Sequence, residues 1–246
     1  ESALFDGVGL AIVPGNDAAL IFEARRRARR VLTAGLNQGD VSAEAHGLNA
    51  DGTGWLELDG VRVDVPLRGV HNLRNAMLAL VVAREFGITT ADAAQGIARM
   101  PQPPMRSAVE PLGAALLLND AYNANPGSAR AALELLAAVG AGRQRVAVLG
   151  TMRELGAASA QMHRDIARAA LASGADLVAG IGEFRAALQE VGAEDSRVIV
   201  AGDVDDLWPV LQLRLQPNAA ILLKASRGVR LERLLPHLHA WAAPTA

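Results

Sequence analysis

The 246-residue sequence predicts an α/β chain in two parts, on three observations. Beyond residue 106, short apolar runs alternate with apolar-periodic helical stretches, the pattern of a doubly wound, mostly parallel sheet with right-handed crossovers. Between Val41 and Pro66 apolar and polar residues alternate around Asp59-Gly60, which signals an antiparallel hairpin beside a parallel sheet. Pro101-Gln102-Pro103-Pro104 then sets three prolines in four residues, which cannot continue a helix and favour an extended linker. The predicted domains are residues 1–105 and 106–246.

Taken in order, Gly9–Val13 reads as a buried strand, and Asn16 or Asp17 as the cap of a helix over Ala18–Arg30. Arg25, Arg26, Arg27, Arg29 and Arg30 make a basic helix end, favourable through the dipole and open to phosphate or nucleic acid. Val31–Gly35 is extended. Trp55–Leu58 and Val61–Val65 are hairpin arms joined by a type I′ turn. A helix opens at Gly69-Val70 and runs to about Phe86, where Gly87 stops it. Thr89 or Thr90 caps another, ending near Met100. Strands are expected at Ala114–Leu118, Arg145–Leu149, Leu177–Ile181, Arg197–Val200 and Ala219–Leu223. Helices are expected at Ser128–Val139, Ala158–Ser173, Phe184–Val191, Val204–Leu215 and Val229–Ala240. Pro126 and Gly127 should break the backbone ahead of Ser128, and Ala242–Ala246 should fray.

With 51% hydrophobic residues the chain can build two modest cores. A net charge of -2 supplies no global basic field for nucleic acid. The absence of cysteine excludes disulfides and thiolate metal sites and fits a reducing compartment. No apolar run reaches transmembrane length and no signal-peptide pattern occurs. The first residue is Glu1, so the chain reads as a piece of a longer product. Lys224 is its sole lysine and is followed by Ala225, so no P-loop is present.

The polar run Asp120-Ala121-Tyr122-Asn123-Ala124-Asn125-Pro126-Gly127-Ser128 stands where a buried strand gives way to a helix, the usual ligand position in open α/β sheets. Its amides offer donors and acceptors and its aspartate could accept from sugar hydroxyls; equally, these residues could only cap and turn the junction. His71-Asn72-x-x-Asn75 puts two amides on one helix face, able to read a purine edge, or else is an N-cap asparagine with a bystander. Arg106 suits phosphate or ribose oxygens, or is a solvated linker residue. His163, four residues after Ser159, is either a base or a packing histidine. Ile221–Gly228 delivers Lys224, Ser226 and Arg227 at a strand end, where a helix from Val229 would add N–H donors for a carboxylate or phosphate; the alternative is a charged loop.

Together these stretches resemble the Mur ligase family. Asp120–Pro126 with Ser128 is similar to its D-[SA]-Y-N-A-N-P-x-S signature, and Gly69–Ala76 to its G-x-H-N-x-x-N-A element. Val146–Gly156 with Ser159 and His163 resembles V-L-G-D-M-x-E-L-G and the spacing after it, with Thr151 in place of the aspartate. Leu222–Glu232 resembles L-V-K-G-S-R-x-x-x-[ML]-E, with Ala225 in place of the glycine. Ser2–Gly7 and Ala11–Asp17 match more loosely. The resemblance implies a partial central ATP-binding domain at 1–105 and a Rossmann-like ligase domain at 106–246. An N-terminal domain and the P-loop half would be missing.

By the same resemblance His71, Asn72, Asn75, Arg106 and Asp120 would bind ATP, with Asp120 on the ribose. Tyr122, Asn123, Asn125, Lys224, Ser226 and Arg227 would bind substrate. No catalytic residue or metal ligand is assigned, the Mg2+ ligands being expected mainly in the missing part. The implied reaction joins D-alanyl-D-alanine to a UDP-N-acetylmuramoyl-tripeptide at the expense of ATP, through an acyl phosphate. A cytoplasmic monomer without membrane insertion or nucleic-acid partner is expected, inactive as this chain alone. Pro103 and Pro104 would bound a hinge, with the amides near 72 and the polar cluster near 122 lining a common cleft. Another amino-acid ligase of the family, or a non-catalytic nucleotide-binding α/β module, remain as alternatives.

Overall fold

The computed structural model describes residues 2–101 and 103–243 and divides into two units, Glu1–Pro101 and Gln102–Ala246. Glu1, Gln102 of the proline run and the last three residues of the expected fraying tail lie outside the described residues.

Unit 1 holds two three-stranded sheets. The first is parallel and runs β1 (Leu10–Pro14), β2 (Arg30–Gly35), β3 (Val41–Ser42). Helix α1 (Ala18–Arg27) joins β1 to β2 and is capped by Asp17, whose carboxylate accepts the Leu20 N–H at 2.9 Å. It ends earlier than expected because Arg30 is already the first residue of β2, paired with Leu10. The basic helix end is therefore split. Arg27 pairs with Asp6 and Glu23, and Arg30 forks onto Glu85 at 2.9 and 3.2 Å, so these arginines form a surface ion-pair layer.

The second sheet is antiparallel, β4 (Ala45–Leu48), β5 (Gly54–Leu58) and β6 (Val61–Val65). Asp59 (φ 53°) and Gly60 (φ 69°) both take left-handed backbone, as the type I′ turn requires. Helix α2 (Val70–Glu85) packs on both sheets through Leu73, Met77 and Leu80. At its end Gly87 (φ 75°) donates to the Arg84 carbonyl and Ile88 to the Ala83 carbonyl, a Schellman stop. Thr89 caps α3 (Thr90–Ala98).

Unit 2 is one six-stranded sheet: β7 (Ala108–Leu112), β8 (Ala115–Asp120), β9 (Arg145–Leu149), β10 (Leu177–Gly180), β11 (Val198–Val200) and β12 (Ala220–Lys224). The order is β11-β10-β9-β12-β8-β7, with only β7 antiparallel. The βα alternation does not reveal β7. Pro111 lies inside it, which an edge strand tolerates, and a tight turn at Gly113 (φ 58°) returns the chain into β8. Side chains alternate across the sheet. Leu118, Ala147, Leu149 and Leu222 face α4 (Pro126–Val139), α5 (Ser159–Ala172) and α6 (Glu183–Val191). Val146, Val148, Ile221 and Leu223 face α7 (Val204–Leu211) and α8 (Leu235–Ala242).

Two local expectations change. Pro126 and Gly127 do not break the backbone but form the first turn of α4, where a proline lacking an N–H is at home. The helix expected over Val229–Ala240 is replaced by short 3-10 turns at Arg227–Val229 and Leu231–Leu234, interrupted by left-handed Arg230 (φ 59°), before α8. The helix N-terminus expected at Val229 therefore does not stand beside Lys224.

Candidate functional site

The site of unit 2 follows from strand order. The last strand in sequence, β12, is inserted between β8 and β9; the helices that follow those two neighbours, α4 and α5, pack on one face of the sheet, while α8, which follows β12, packs on the other. This is a topological switch point, where open α/β sheets leave a crevice at the carboxyl ends of their strands. In register there, Lys224 neighbours Asp120 on one side and Leu149 on the other.

Lys224 and Asp120 form a buried ion pair at 2.6 Å, with the lysine side chain 3% exposed. Lys224 also donates to the Asn123 carbonyl at 2.6 Å, and Asp120 Oδ1 accepts the Ser107 N–H at 2.8 Å. Burial pushes the Lys224 pKa down, and the Asp120 carboxylate opposes that shift by favouring the charged form. Ser226 Oγ accepts the Arg153 N–H at 2.9 Å and lies 3.2 Å from Asn123 Oδ1. Above this layer Tyr122 carries two cations: the Arg106 guanidinium is 4.4 Å and that of Arg227 5.4 Å from its ring centroid. Both arginines are exposed. The outer layer can attract phosphate or carboxylate, while the inner one is already satisfied.

Of the residues expected here, Arg106, Asp120, Tyr122, Asn123, Lys224, Ser226 and Arg227 thus come together. Asn125 stands apart in role. Its side chain accepts the Ser128 N–H at 2.8 Å while Ser128 Oγ accepts the Asn125 N–H, the capping box of α4.

His163 is a core histidine. It is 1% exposed, Nε2 accepts the Met152 N–H at 2.9 Å, and Nδ1 donates to the Ser159 carbonyl at 2.8 Å. Both ring nitrogens are occupied, so it fixes the loop after β9 and is not placed as a base. Thr151, standing where the family pattern has aspartate, accepts the Glu183 N–H at 3.0 Å and so caps α6. Ala225 turns its methyl into the core against Gly150, where a Cβ would come within 2.8 Å of it. Its replacement of glycine is a packing matter at this position. Sequence reasoning missed Ser107 and Arg153, whose backbone N–H groups join the cluster; no local signal marks them.

In unit 1, His71, Asn72 and Asn75 lie in the first turns of α2. The helix is capped by Gly69, not Asn72, and Gly69 (φ 90°) allows the His71 ring to approach within 2.7 Å of where a Cβ would stand. Asn72 Nδ2 donates to the Arg68 carbonyl at 2.8 Å and lies 3.2 Å from His71 Nε2. Asn75 Nδ2 donates to Asn72 Oδ1 at 3.3 Å. The three side chains are linked along one face, with Asn75 exposed.

Residues 107–227 match the family model described as Mur ligase, glutamate ligase domain. A UDP-N-acetylmuramoyl-tripeptide–D-alanyl-D-alanine ligase of Treponema pallidum (strain Nichols) is 38% identical over 179 residues, 72% of this chain and 39% of that protein. Among solved structures, a MurF crystal structure from Acinetobacter baumannii is similar with a TM-score of 0.82 at 27% identity, over 97% of this chain and 54% of that one. The MurF ligase of Thermotoga maritima in complex with ADP is similar with a TM-score of 0.74 at 25% identity, over 96% and 54%. The chain thus spans about half, or less, of the relatives it matches. With one domain matched by the family model and relatives that extend across both units, the chain belongs to the Mur ligase family.

Proposed function

We propose that this chain is the nucleotide- and dipeptide-handling part of a UDP-N-acetylmuramoyl-tripeptide–D-alanyl-D-alanine ligase, an ATP-dependent enzyme of peptidoglycan precursor synthesis and hence of cell-wall growth, shape and division. One observation carries the reading: a phenol flanked by two exposed guanidiniums at the strand-end switch point. The relatives' names and the ADP complex of a neighbour support it. In this proposal residues 106–246 are the ligase domain and 1–105 the latter part of the ATP-binding domain. His71, Asn72 and Asn75 take the adenine, and Arg106 the phosphate or ribose oxygens. Tyr122, Asn123 and Arg227 shape the place where the incoming amine meets the acyl phosphate, a positioning role. Asn125 contributes by fixing the start of α4. Asp120, Lys224 and Ser226 form the layer beneath.

Among the described residues no group of three or more His, Asp or Glu could hold a metal ion. These described residues do not fit a Mg2+ site. No described helix is long and apolar enough to cross a membrane; a cytoplasmic monomer belongs to the proposal.

The test has two arms. Titration of the chain with ADP should show binding that Asn72→Ala and Arg106→Ala both weaken; binding indifferent to both would sink the reading. Phosphate release from ATP and UDP-N-acetylmuramoyl-tripeptide should be absent with this chain alone. With the complete gene product it should require D-alanyl-D-alanine, and a preference for a single amino acid would favour another ligase of the family.

A further inference from the structure

Past the sheet end of unit 2, the loop after β9 is fastened to the loop after β12. The Gly150 N–H donates to the Lys224 carbonyl at 2.9 Å, the Ser226 N–H to the Thr151 carbonyl at 3.1 Å, and the Arg153 N–H to Ser226 Oγ at 2.9 Å. The Arg153 side chain then crosses to Gly228, whose carbonyl accepts from its guanidinium at 3.1 Å. Glycine leaves room for the crossing, since a Cβ at position 228 would overlap that guanidinium. We infer that Arg153 binds the C-terminal carboxylate of the incoming dipeptide. The inference rests on the dipeptide reading proposed above.

Arg153 is exposed and, among the described residues, forms no ion pair. One N–H goes to Gly228, and the rest of the planar fork is open to grip a carboxylate. Anchoring at both the backbone and the guanidinium lowers the freedom lost when a ligand arrives. No acid compensates the charge where the family pattern has aspartate. Thr151 stands there instead, and its hydroxyl oxygen is taken by the Glu183 N–H at 3.0 Å. The same pattern leaves position 153 open, so this guanidinium is a feature of the chain and not of the shared signature.

Spacing selects the ligand. Tyr122, with Arg106 over its ring at 4.4 Å, lies past the end of β8, and Arg153 lies past the end of β9. Strand β12 runs between them in register. Two strand spacings make about 10 Å, and an extended dipeptide spans about 7 Å. The reach of the arginine side chain toward Gly228 closes the difference. Arg227, beside the Tyr122 ring at 5.4 Å, is the residue before Gly228 and so links the two ends. A molecule whose amine lies at Tyr122 thus carries its carboxylate toward Arg153. A single amino acid, about half as long, falls short.

The test uses the complete gene product and two nucleophiles, D-alanyl-D-alanine and its C-terminal amide, which differ in the charge at issue. With the unaltered enzyme the KM of the amide should exceed that of the dipeptide about tenfold or more; equal values would overturn the inference. Arg153→Ala keeps the N–H bonded to Ser226 and removes the guanidinium. It should raise the KM of the dipeptide to that of the amide and leave the KM of ATP unchanged. A purely structural role would raise both nucleophiles alike and preserve their ratio, which overturns the inference. So does a rise confined to ATP, which would assign the guanidinium to a phosphate. Should Arg153→Ala not fold, Gly228→Ala, whose methyl displaces the guanidinium, repeats the comparison with the same expected outcome. If D-alanyl-D-alanine supports no phosphate release, the dipeptide reading fails by itself. The Arg153 Nε–H signal of this chain, followed by NMR in titrations with both compounds, then decides. A shift with the dipeptide alone supports the carboxylate subsite; the same response to both, or to neither, overturns it.

Discussion

The two units hold their polar residues in different ways. In unit 2 the ion pair that organises the site joins strands 104 residues apart in sequence and is buried between them. In unit 1 the linked side chains are His71, Asn72 and Asn75, within a few positions of one helix start. The cores differ in the same sense. The sheet of unit 2 is covered on both faces by helices, while unit 1 divides its apolar residues between two small clusters. Unit 1 also leaves Leu4, Phe22, Phe86 and Ile88 exposed, Phe86 by 80%. A site built from distant strands needs a rigid sheet to define it. One built along a single helix needs only that helix.

The sharpest way to break this comparison is to separate the units. Residues 103–243 alone should unfold cooperatively, since their core is closed on both faces. Residues 2–101 alone should bind a hydrophobic dye and melt broadly, because their buried area is small and their exposed apolar surface large. A sharp, dye-free transition for the smaller piece would erase the distinction.

Next in size is the polar layer. Lys224→Met leaves the Asp120 carboxylate buried without its cation and should destabilise unit 2 by about 3–5 kcal/mol in denaturant titration. Asn75→Ala, at an exposed position of α2, should stay within ~0.5 kcal/mol. Equal effects would show that the two polar groups carry the same structural weight.

The smallest effect concerns acid. The Arg197 side chain and backbone N–H hold Asp195 at about 2, below its usual 3.8. In the window between those values the native state binds fewer protons than the unfolded chain. Its contribution is complete above 3.8 and is lost as pH falls toward about 2. Asp195→Asn should flatten the acid limb of the melting-temperature profile of unit 2 across that window and leave the profile near neutrality unchanged. An unaltered limb would assign the acid sensitivity elsewhere, such as Asp40 of unit 1, which the Thr33 N–H and hydroxyl also hold low.

Much of the fold was legible because local rules decided it. Asp59-Gly60 specifies its turn, Gly87 and Thr89 punctuate two helices, and the βα alternation marks the parallel strands. The outer residues of the site were legible too, because the tyrosine–asparagine run and the strand end at Lys224 stand out by composition. Their partners were not. Ser107 enters through a backbone N–H that any residue possesses, and β7 hides behind a proline that only its edge position permits. Arg230 turns left-handed within a stretch whose apolar spacing reads as helix, which removes the expected N-terminus near Lys224.

The sequence by itself determined which segments become the parallel strands of unit 2 and most of the helices, where most of them stop, and that cationic, phenolic and amide groups gather at strand ends. It did so because period, capping and turn chemistry act over a few residues. Only the tertiary structure decided that β12 slots between β8 and β9. That insertion sets Lys224 against Asp120, because register across a sheet depends on which distant strand lies alongside.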